Sequence, residues 1–308
     1  MIIFDDTNRF SQLQQGCVAT IGKFDGVHLG HQLILDQLKE KAVEFNLPSL
    51  VILLEPHPEE FFSDTPPARL TILEEKLELL ESFAIDFVFQ LKFDQAMSEL
   101  SAEDYIKEIL VDGLGVASFI VGNDFRFGHK RAGDFSMLQK ASEQLGFEVT
   151  ETVAYERNGQ RISSTFIREE LTKADFLLVE QLLGRPYAIK GEVVKGEQLG
   201  KDLGFPTCNI NPQRLQIPLH GVYACEVRLA DRHYPAAVNI GYRPTITESG
   251  DALLEAHILD FNEDLYGKTI EVVFKDKIRE EIKFSGLEEL KQQITADVQQ
   301  VRSLFAVG

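Results

Sequence analysis

Strand-like and helix-like apolar runs alternate from Cys17 to about Leu183, and beyond Tyr187 the alternation stops. No other feature narrows the possible folds as much. The early strand runs are Cys17 to Ile21, Ser49 to Leu54, Asp86 to Gln90, Ala117 to Val121 and Glu148 to Val153. Between them lie helical runs, of which His31 to Phe45 carries Leu35, Leu38, Ala42 and Phe45 at spacings of three and four. Glu74 to Phe83, Ala102 to Leu114 and Phe135 to Leu145 read the same way. Repeated strand–helix–strand order predicts an α/β domain whose parallel sheet is covered on both faces, with ligands at the carboxyl ends of its strands. After Tyr187 come strand runs broken by Gly, Pro and Asn: Ile189 to Val194, Val222 to Arg228, Ala236 to Ile240, Leu253 to Leu259 and Thr269 to Phe274, then one helical run from Leu287 to Phe305. This predicts an antiparallel β-barrel or sandwich closed by a C-terminal helix. Two short helical runs, Phe166 to Lys173 and Phe176 to Leu183, precede a Gly184-Arg185-Pro186 step. The expected domains are therefore 1–184 and 185–308.

With 308 residues the chain can bury two cores. Its 31 Lys and Arg against 49 Asp and Glu leave a net charge of −18, which argues against nucleic acid or an anionic membrane as partner. A bound phosphate chain is still compatible, because a few N–H groups, one or two cations and a divalent ion suffice. Cys17, Cys208 and Cys225 lack zinc or disulfide spacing, the N-terminus has no leader pattern, and no run approaches a membrane span, so a cytoplasmic location is expected.

The densest motif runs from Gly22 through Lys23, Phe24, Asp25, Gly26, Val27, His28, Leu29 and Gly30 to His31, between the first strand and the first helix. Gly22, Gly26 and Gly30 permit tight turning and close approach to phosphate, and His31 is expected to open the helix. His28 and His31, one turn apart, can donate hydrogen bonds to charge building on a phosphoryl group. Three later segments follow strands or open a helix: Glu55-Pro56-His57, Asp124-Phe125-Arg126-Phe127, and Ser163-Ser164-Thr165 with Arg168 beyond. The last can hold a triphosphate. Each also has a plainer reading: loop or turn histidines, core phenylalanines and a capped helix start.

In the second half Gly191 to Asn209 is a strand, a loop bearing Gly196, Gly200, Lys201 and Gly204, and then Thr207-Cys208-Asn209. The loop can cradle phosphate, and Thr207 and Asn209 offer hard oxygen ligands suited to Mg²⁺ carrying ATP. A glycine-rich barrel turn before an edge strand is the alternative. Around Glu255, the apolar Leu254, Ala256 and Ile258 alternate with Glu255 and His257, so the two polar groups share a face.

These motifs, in this order from Gly22 to Arg302, resemble the bacterial bifunctional riboflavin kinase/FMN adenylyltransferases, also called FAD synthetases. Val238 to Thr245, Leu265-Tyr266-Gly267 and Ile278-Arg279-Glu280-Glu281 add to the match. The resemblance implies a Rossmann-like nucleotidyltransferase domain followed by a riboflavin kinase barrel. The substrates and products it implies are riboflavin, FMN, ATP and FAD, with Mg²⁺. His28 and His31 would contact ATP phosphates, Ser164 and Arg168 would steady pyrophosphate, and Asp124 and Arg161 would lie at the flavin or ATP side. Gly22, Phe24, Asp25, Gly26, Gly30, His57, Phe125, Phe127, Ser163 and Thr165 complete the implied first binding set. Gly196, Gly200, Lys201, Gly204 and Arg279 complete the second, Thr207 and Asn209 hold the metal, and Glu255 is the base for the ribityl hydroxyl. The chain departs from the family pattern at Lys201 for Arg, Cys208 for Ala, Lys23 for Asn, and Ala174-Asp175 for a Gly.

Two other readings compete. One domain is inactive or transfers a nucleotide to another phosphorylated acceptor, or the chain is a flavin-binding sensor with a decayed site. The intact His28, His31, Ser164, Thr207, Asn209 and Glu255 argue against decay.

Overall fold

A computed structural model of the chain describes residues 1–5, 13, 15–153, 155–157, 159–196, 204–242 and 252–306. It divides into two compact units, Met1–Pro67 with Leu73–Ser163, and Ala68–Ile72 with Ser164–Gly308.

The first unit is built on six strands, β1 (Ile2–Phe4), β2 (Cys17–Gly22), β3 (Ser49–Glu55), β4 (Phe87–Lys92), β5 (Val116–Gly122) and β6 (Glu148–Thr152). All pairs are parallel, in the order β1-β4-β3-β2-β5-β6. Successive side chains take opposite faces: Val18, Val51 and Leu53 join the apolar cluster around α1 (Leu29–Phe45), while Cys17, Ala19, Leu50 and Ile52 join the cluster on the other side. From β2 the chain first winds outward through β3 and β4 and then returns to place β5 on β2's other side. That reversal leaves a crevice at the carboxyl ends of β2 and β5, the usual ligand position in such sheets. The other helices of this unit are α2 (Pro58–Phe62), α3 (Leu73–Ser82), α4 (Gln95–Glu99), α5 (Ala102–Asp104) and α6 (Phe135–Leu145). The expected α-helix over 102–114 is one α turn that widens into a π-helix, Tyr105–Gly113, ending where the Leu114 N–H reaches the Ile109 carbonyl at 2.9 Å. A two-residue hairpin, β7 (Glu156–Arg157) and β8 (Gln160–Arg161), carries Arg161.

The second unit begins with α7 (Ser164–Thr172) and α8 (Phe176–Leu183). Strands β9 (Ala188–Val194), β10 (Cys208–Asn211), β11 (Gly221–Leu229), β12 (Arg232–Tyr242), β13 (Ala252–Ile258) and β14 (Thr269–Arg279) then close an antiparallel barrel in the order β10-β13-β12-β11-β14-β9. Closure removes the sandwich alternative, and β10 is paired on both sides rather than forming an edge. The closing helix α9 (Leu287–Ala306) packs Val301 on Ala224, Ala237 and Leu259. Phe176 of α8 stacks on Phe274 at 5.9 Å and meets Tyr223 edge-on, which explains why α8 groups with the barrel although it precedes residue 185. Between α7 and α8, Ala174 has φ 59°, the left-handed conformation for which the family's glycine is suited.

Candidate active sites

The loop after β2 is held in a tight, strained path. Phe24, Gly26 and Val27 all have positive φ (47°, 83° and 38°), a sparsely populated choice for β-branched Val27. The Val27 N–H donates to the Phe24 carbonyl at 3.1 Å and the Gln32 amide to the Val27 carbonyl at 2.9 Å.

The helix opens two residues earlier than expected. His28 is the N-cap of α1, its Nδ1 accepting the His31 N–H at 3.3 Å, and His31 is the third helical residue. Capping by an imidazole nitrogen satisfies one of the donors that every helix start leaves unpaired. It also fixes the His28 tautomer, since an accepting Nδ1 leaves the proton of the neutral ring on Nε2. The two rings stack with centroids 3.7 Å apart and planes 15° from parallel. Gly30 permits this: a Cβ there would lie 3.2 Å from the His28 ring. His31 Nδ1 is buried without a hydrogen-bond partner. Burial first, and then the neighbouring His28, Lys76 and Lys23, lower the His31 pKa well below 6.5, so its ring is neutral at pH 7.

Other expected residues take varied places. Asp25 and His57 are buried, and His57 caps α2 with Nε2 2.9 Å from Lys76 Nζ. Asp124, beyond β5, and Arg161, on β8, pair at 2.6 Å with both side chains well exposed. Phe125 stacks on Phe127 at 5.4 Å. Two of the aromatic rings are buried. Phe24 is 1% exposed and packs against His31 at 4.9 Å, because its left-handed backbone turns the ring under the loop. Phe127 lies in the core beside Tyr105, tied down by its bridge to Gly133. Both support the site from beneath. Ser164 opens α7, with Ser163 before it and Thr165 exposed, and Arg168 Nε donates to the Ala68 carbonyl at 2.5 Å. Lys76 escaped the sequence reading, although a lysine on a stripe with Leu73, Leu77 and Leu80 was a signal.

In the barrel, strand register assembles a polar row. Asn209 of β10 and Asn239 of β12 lie opposite Glu255 of β13 from either side. The row is on the outer face: Leu254, Ala256 and Ile258 point into the buried core, and Glu255 is exposed. Asn239 is the member that sequence reasoning left without a role. A Cβ at Gly196 would overlap the Asn209 amide, so the absent side chain makes room for that group. Gly204 needs its glycine for a φ of 86°. His257 Nδ1 meets the Pro206 carbonyl at 2.9 Å and its ring meets Phe205 edge-on, which anchors the segment leading into Thr207. Gly200, Lys201 and the Arg243-Pro244-Thr245 stretch lie outside the described residues.

Arg279 Nε and Nη2 grip the buried Asp297 carboxylate at 2.8–3.0 Å, and Nη1 donates to the Glu280 carbonyl. The planar fork fastens α9 to β14.

The Thr207 hydroxyl and the Asn209 side-chain oxygen are hard oxygen donors, and the absent side chain at Gly196 leaves room for the Asn209 amide. That set fits Mg²⁺ held together with phosphate oxygens. Burial pushes the adjacent Cys208 thiol up to about 11, so it stays neutral. Lys23 pairs with Glu59 at 2.6 Å. Among the described residues, no helix is long and apolar enough to cross a membrane.

The FAD synthetase family model matches residues 10–166 and the riboflavin kinase family model residues 183–305. A bifunctional riboflavin kinase/FMN adenylyltransferase of Pseudomonas fluorescens is 48% identical, covering 95% of this chain and 94% of its own length. One of Escherichia coli K12 is 46% identical, over 96% and 94%. A crystal structure described as a macrolide-efflux protein from Streptococcus pneumoniae superposes with a TM-score of 0.80 at 25% identity, covering 98% of each chain. The chain therefore belongs to the bifunctional riboflavin kinase/FMN adenylyltransferase family, converting riboflavin to FMN and FMN to FAD.

Proposed function

We propose that residues 1–184 carry the adenylyl transfer and residues 185–308 the riboflavin phosphorylation, each with ATP, in the cytoplasm. The observation that carries the first assignment is the stacked His28–His31 pair at the start of α1, beside the crevice of the parallel sheet. In the transfer an FMN phosphate oxygen attacks the α-phosphorus of ATP and the bond to pyrophosphate breaks. The nucleophile is already ionised, so the protein's task is alignment and charge stabilisation. His28 donates from Nε2, and His31, neutral and with an unpartnered Nδ1, gains from the phosphates both a hydrogen-bond partner and the negative charge that favours its protonated form. The loop from Gly22 to Gly30, with Asp25 buried beneath it, shapes the phosphate cradle. Ser164 and Arg168, flanked by Ser163 and Thr165, steady the pyrophosphate, and Asp124, Arg161 and Phe125 border the flavin or adenine.

The kinase step differs because its nucleophile is an alcohol. Glu255 takes the ribityl hydroxyl proton as the oxygen attacks the γ-phosphorus of ATP and the bond from that phosphorus to the bridging oxygen breaks, releasing ADP. Thr207 and Asn209 would hold Mg²⁺, which when bound neutralises charge on the phosphates. Gly196, Gly204 and, outside the described residues, Gly200 and Lys201 belong to the loop that would cover them. The support is the Asn209–Glu255–Asn239 row across three strands. Supplying the purified protein with riboflavin, ATP and Mg²⁺ and separating the flavins over time tests the division. Glu255→Gln should block FMN formation and leave adenylylation of added FMN intact. Equal loss of both activities would overturn it.

A further inference from the structure

Lys76 is 0% exposed and lies on α3, on the stripe that also carries the buried Leu80. Its Nζ is 3.3 Å from the Lys23 carbonyl in the loop after β2, 3.3 Å from Glu55 Oε2 at the end of β3, and 2.9 Å from His57 Nε2 at the start of α2. Burying an ammonium is costly unless its protons are all used. The carbonyl and the carboxylate can only accept, and an ammonium, which has no lone pair, can meet His57 Nε2 only by donating to its lone pair.

We propose that Lys76 is a positioning residue for adenylyl transfer, its buried ammonium pinning the phosphate loop after β2 to the loop that follows β3. An apolar side chain of similar length would fill the same space among the leucines. It would bond neither the Lys23 carbonyl, which fixes the loop leading to His28, nor His57. Because Lys76 is fully buried it does not touch substrate, and it acts only through the groups it holds. The inference rests on the reading that His28 and its loop form the ATP phosphate site.

Lys76→Met keeps the length and the apolar stem and removes the charge. Released from its anchor, the loop should misplace the reacting phosphates by an ångström or so, and the kcat of FMN adenylylation should fall about a hundredfold. Riboflavin phosphorylation by the same preparation should be unchanged, which reports that the second unit is folded, and an unchanged far-ultraviolet circular dichroism spectrum reports the first. Wild-type adenylylation kinetics in Lys76→Met would overturn the proposal. A space-filling role predicts that result. The native protein supplies a second test that survives even if the variant does not fold. The ¹⁵N shifts of the His57 ring should show Nε2 unprotonated, and a protonated Nε2 would overturn the ammonium clamp. His28→Ala, assayed alongside, separates the two failures. If it keeps full adenylylation, the loop is not the phosphate site and the Lys76 role falls with it. If it loses adenylylation while Lys76→Met keeps it, the Lys76 proposal alone is wrong.

Discussion

Around the start of α1 the groups proposed for chemistry are packed away, with His28 6% exposed, Asp25 1% and the supporting Lys76 0%, whereas Glu255 in the barrel stands exposed on an outer strand face. The first arrangement builds its electrostatics into the fold: stacked rings, a buried ammonium and a strained loop set the charge states before any ligand arrives. The second fixes relative positions through strand register, with Glu255 on an exposed face. The contrast follows the nucleophiles. An ionised phosphate needs a prepared field, while an alcohol needs a carboxylate that can accept a proton once the substrate has displaced solvent.

The comparison breaks most sharply if either site can do without its central group. Glu255→Gln removes the base while keeping size and hydrogen bonding, and should lower the kcat of FMN formation about a thousandfold, within the usual range for general-base loss. Adenylylation of added FMN should be unchanged. His28→Ala should do the converse, lowering adenylylation about a hundredfold, as removal of a preorganised donor does, with phosphorylation intact. Chromatography of flavin species with each substrate given separately reads both. Crossed effects would mean the halves are not chemically separate.

Much of this contrast was legible in the sequence because period and punctuation carry it. The α/β alternation gave β2 to β6, and the change of texture near Tyr187 marked the barrel strands. β1 was not legible: three residues with exposed Ile2 and Ile3 have no alternation to read, and they are a strand only because β4 offers an edge. The π-helix over Tyr105–Gly113 was hidden too, since its apolar spacing also suits an α-helix over so short a run. Among site residues, His28 and His31 declared themselves by type and spacing. Their stacking did not, because it depends on a cap geometry that Gly30 permits. The pairing of Arg279 was hidden, because a cation beside Glu280 and Glu281 gives no hint of Asp297, eighteen residues on. Asn239 needed the register of three strands before it could be placed beside Glu255.

Paired glycine substitutions sharpen the same contrast at smaller scale. In Gly196→Ala the added methyl overlaps the Asn209 amide and must displace it, so the KM for Mg·ATP in phosphorylation should rise about tenfold, equivalent to about 1.4 kcal/mol. In Gly30→Ala the methyl lies 3.2 Å from the His28 ring, a tight contact that a small ring tilt relieves. Adenylylation should fall about threefold, since a slightly misaligned donor retains most of its effect. The barrel row loses more to its glycine because the Asn209 amide is displaced outright, and steady-state kinetics of the two half-reactions would show whether that order holds.

The smallest expected effect concerns pH and falls on the buried site. Burial, His28, Lys76 and Lys23 hold the folded pKa of His31 well below its ordinary 6.5. Below 6.5 the unfolded chain therefore takes up a proton that the folded chain refuses, and the unfolded state gains relative stability as pH falls toward the lowered folded value. Above 6.5 both states carry a neutral ring and the contribution is constant. The unliganded protein should lose stability from His31 only on the acid side of 6.5, and the imidazole C–H resonances of His31 should not move between about pH 7.5 and about pH 6.5, where an ordinary histidine is already half protonated. His31→Gln, which keeps a polar side chain but cannot titrate, should flatten that acid limb of the stability profile. A His31 midpoint at or above 6.5 by NMR would show that the ring is not held neutral. The contrast between a prebuilt field around α1 and an exposed carboxylate on β13 would then lose its electrostatic basis.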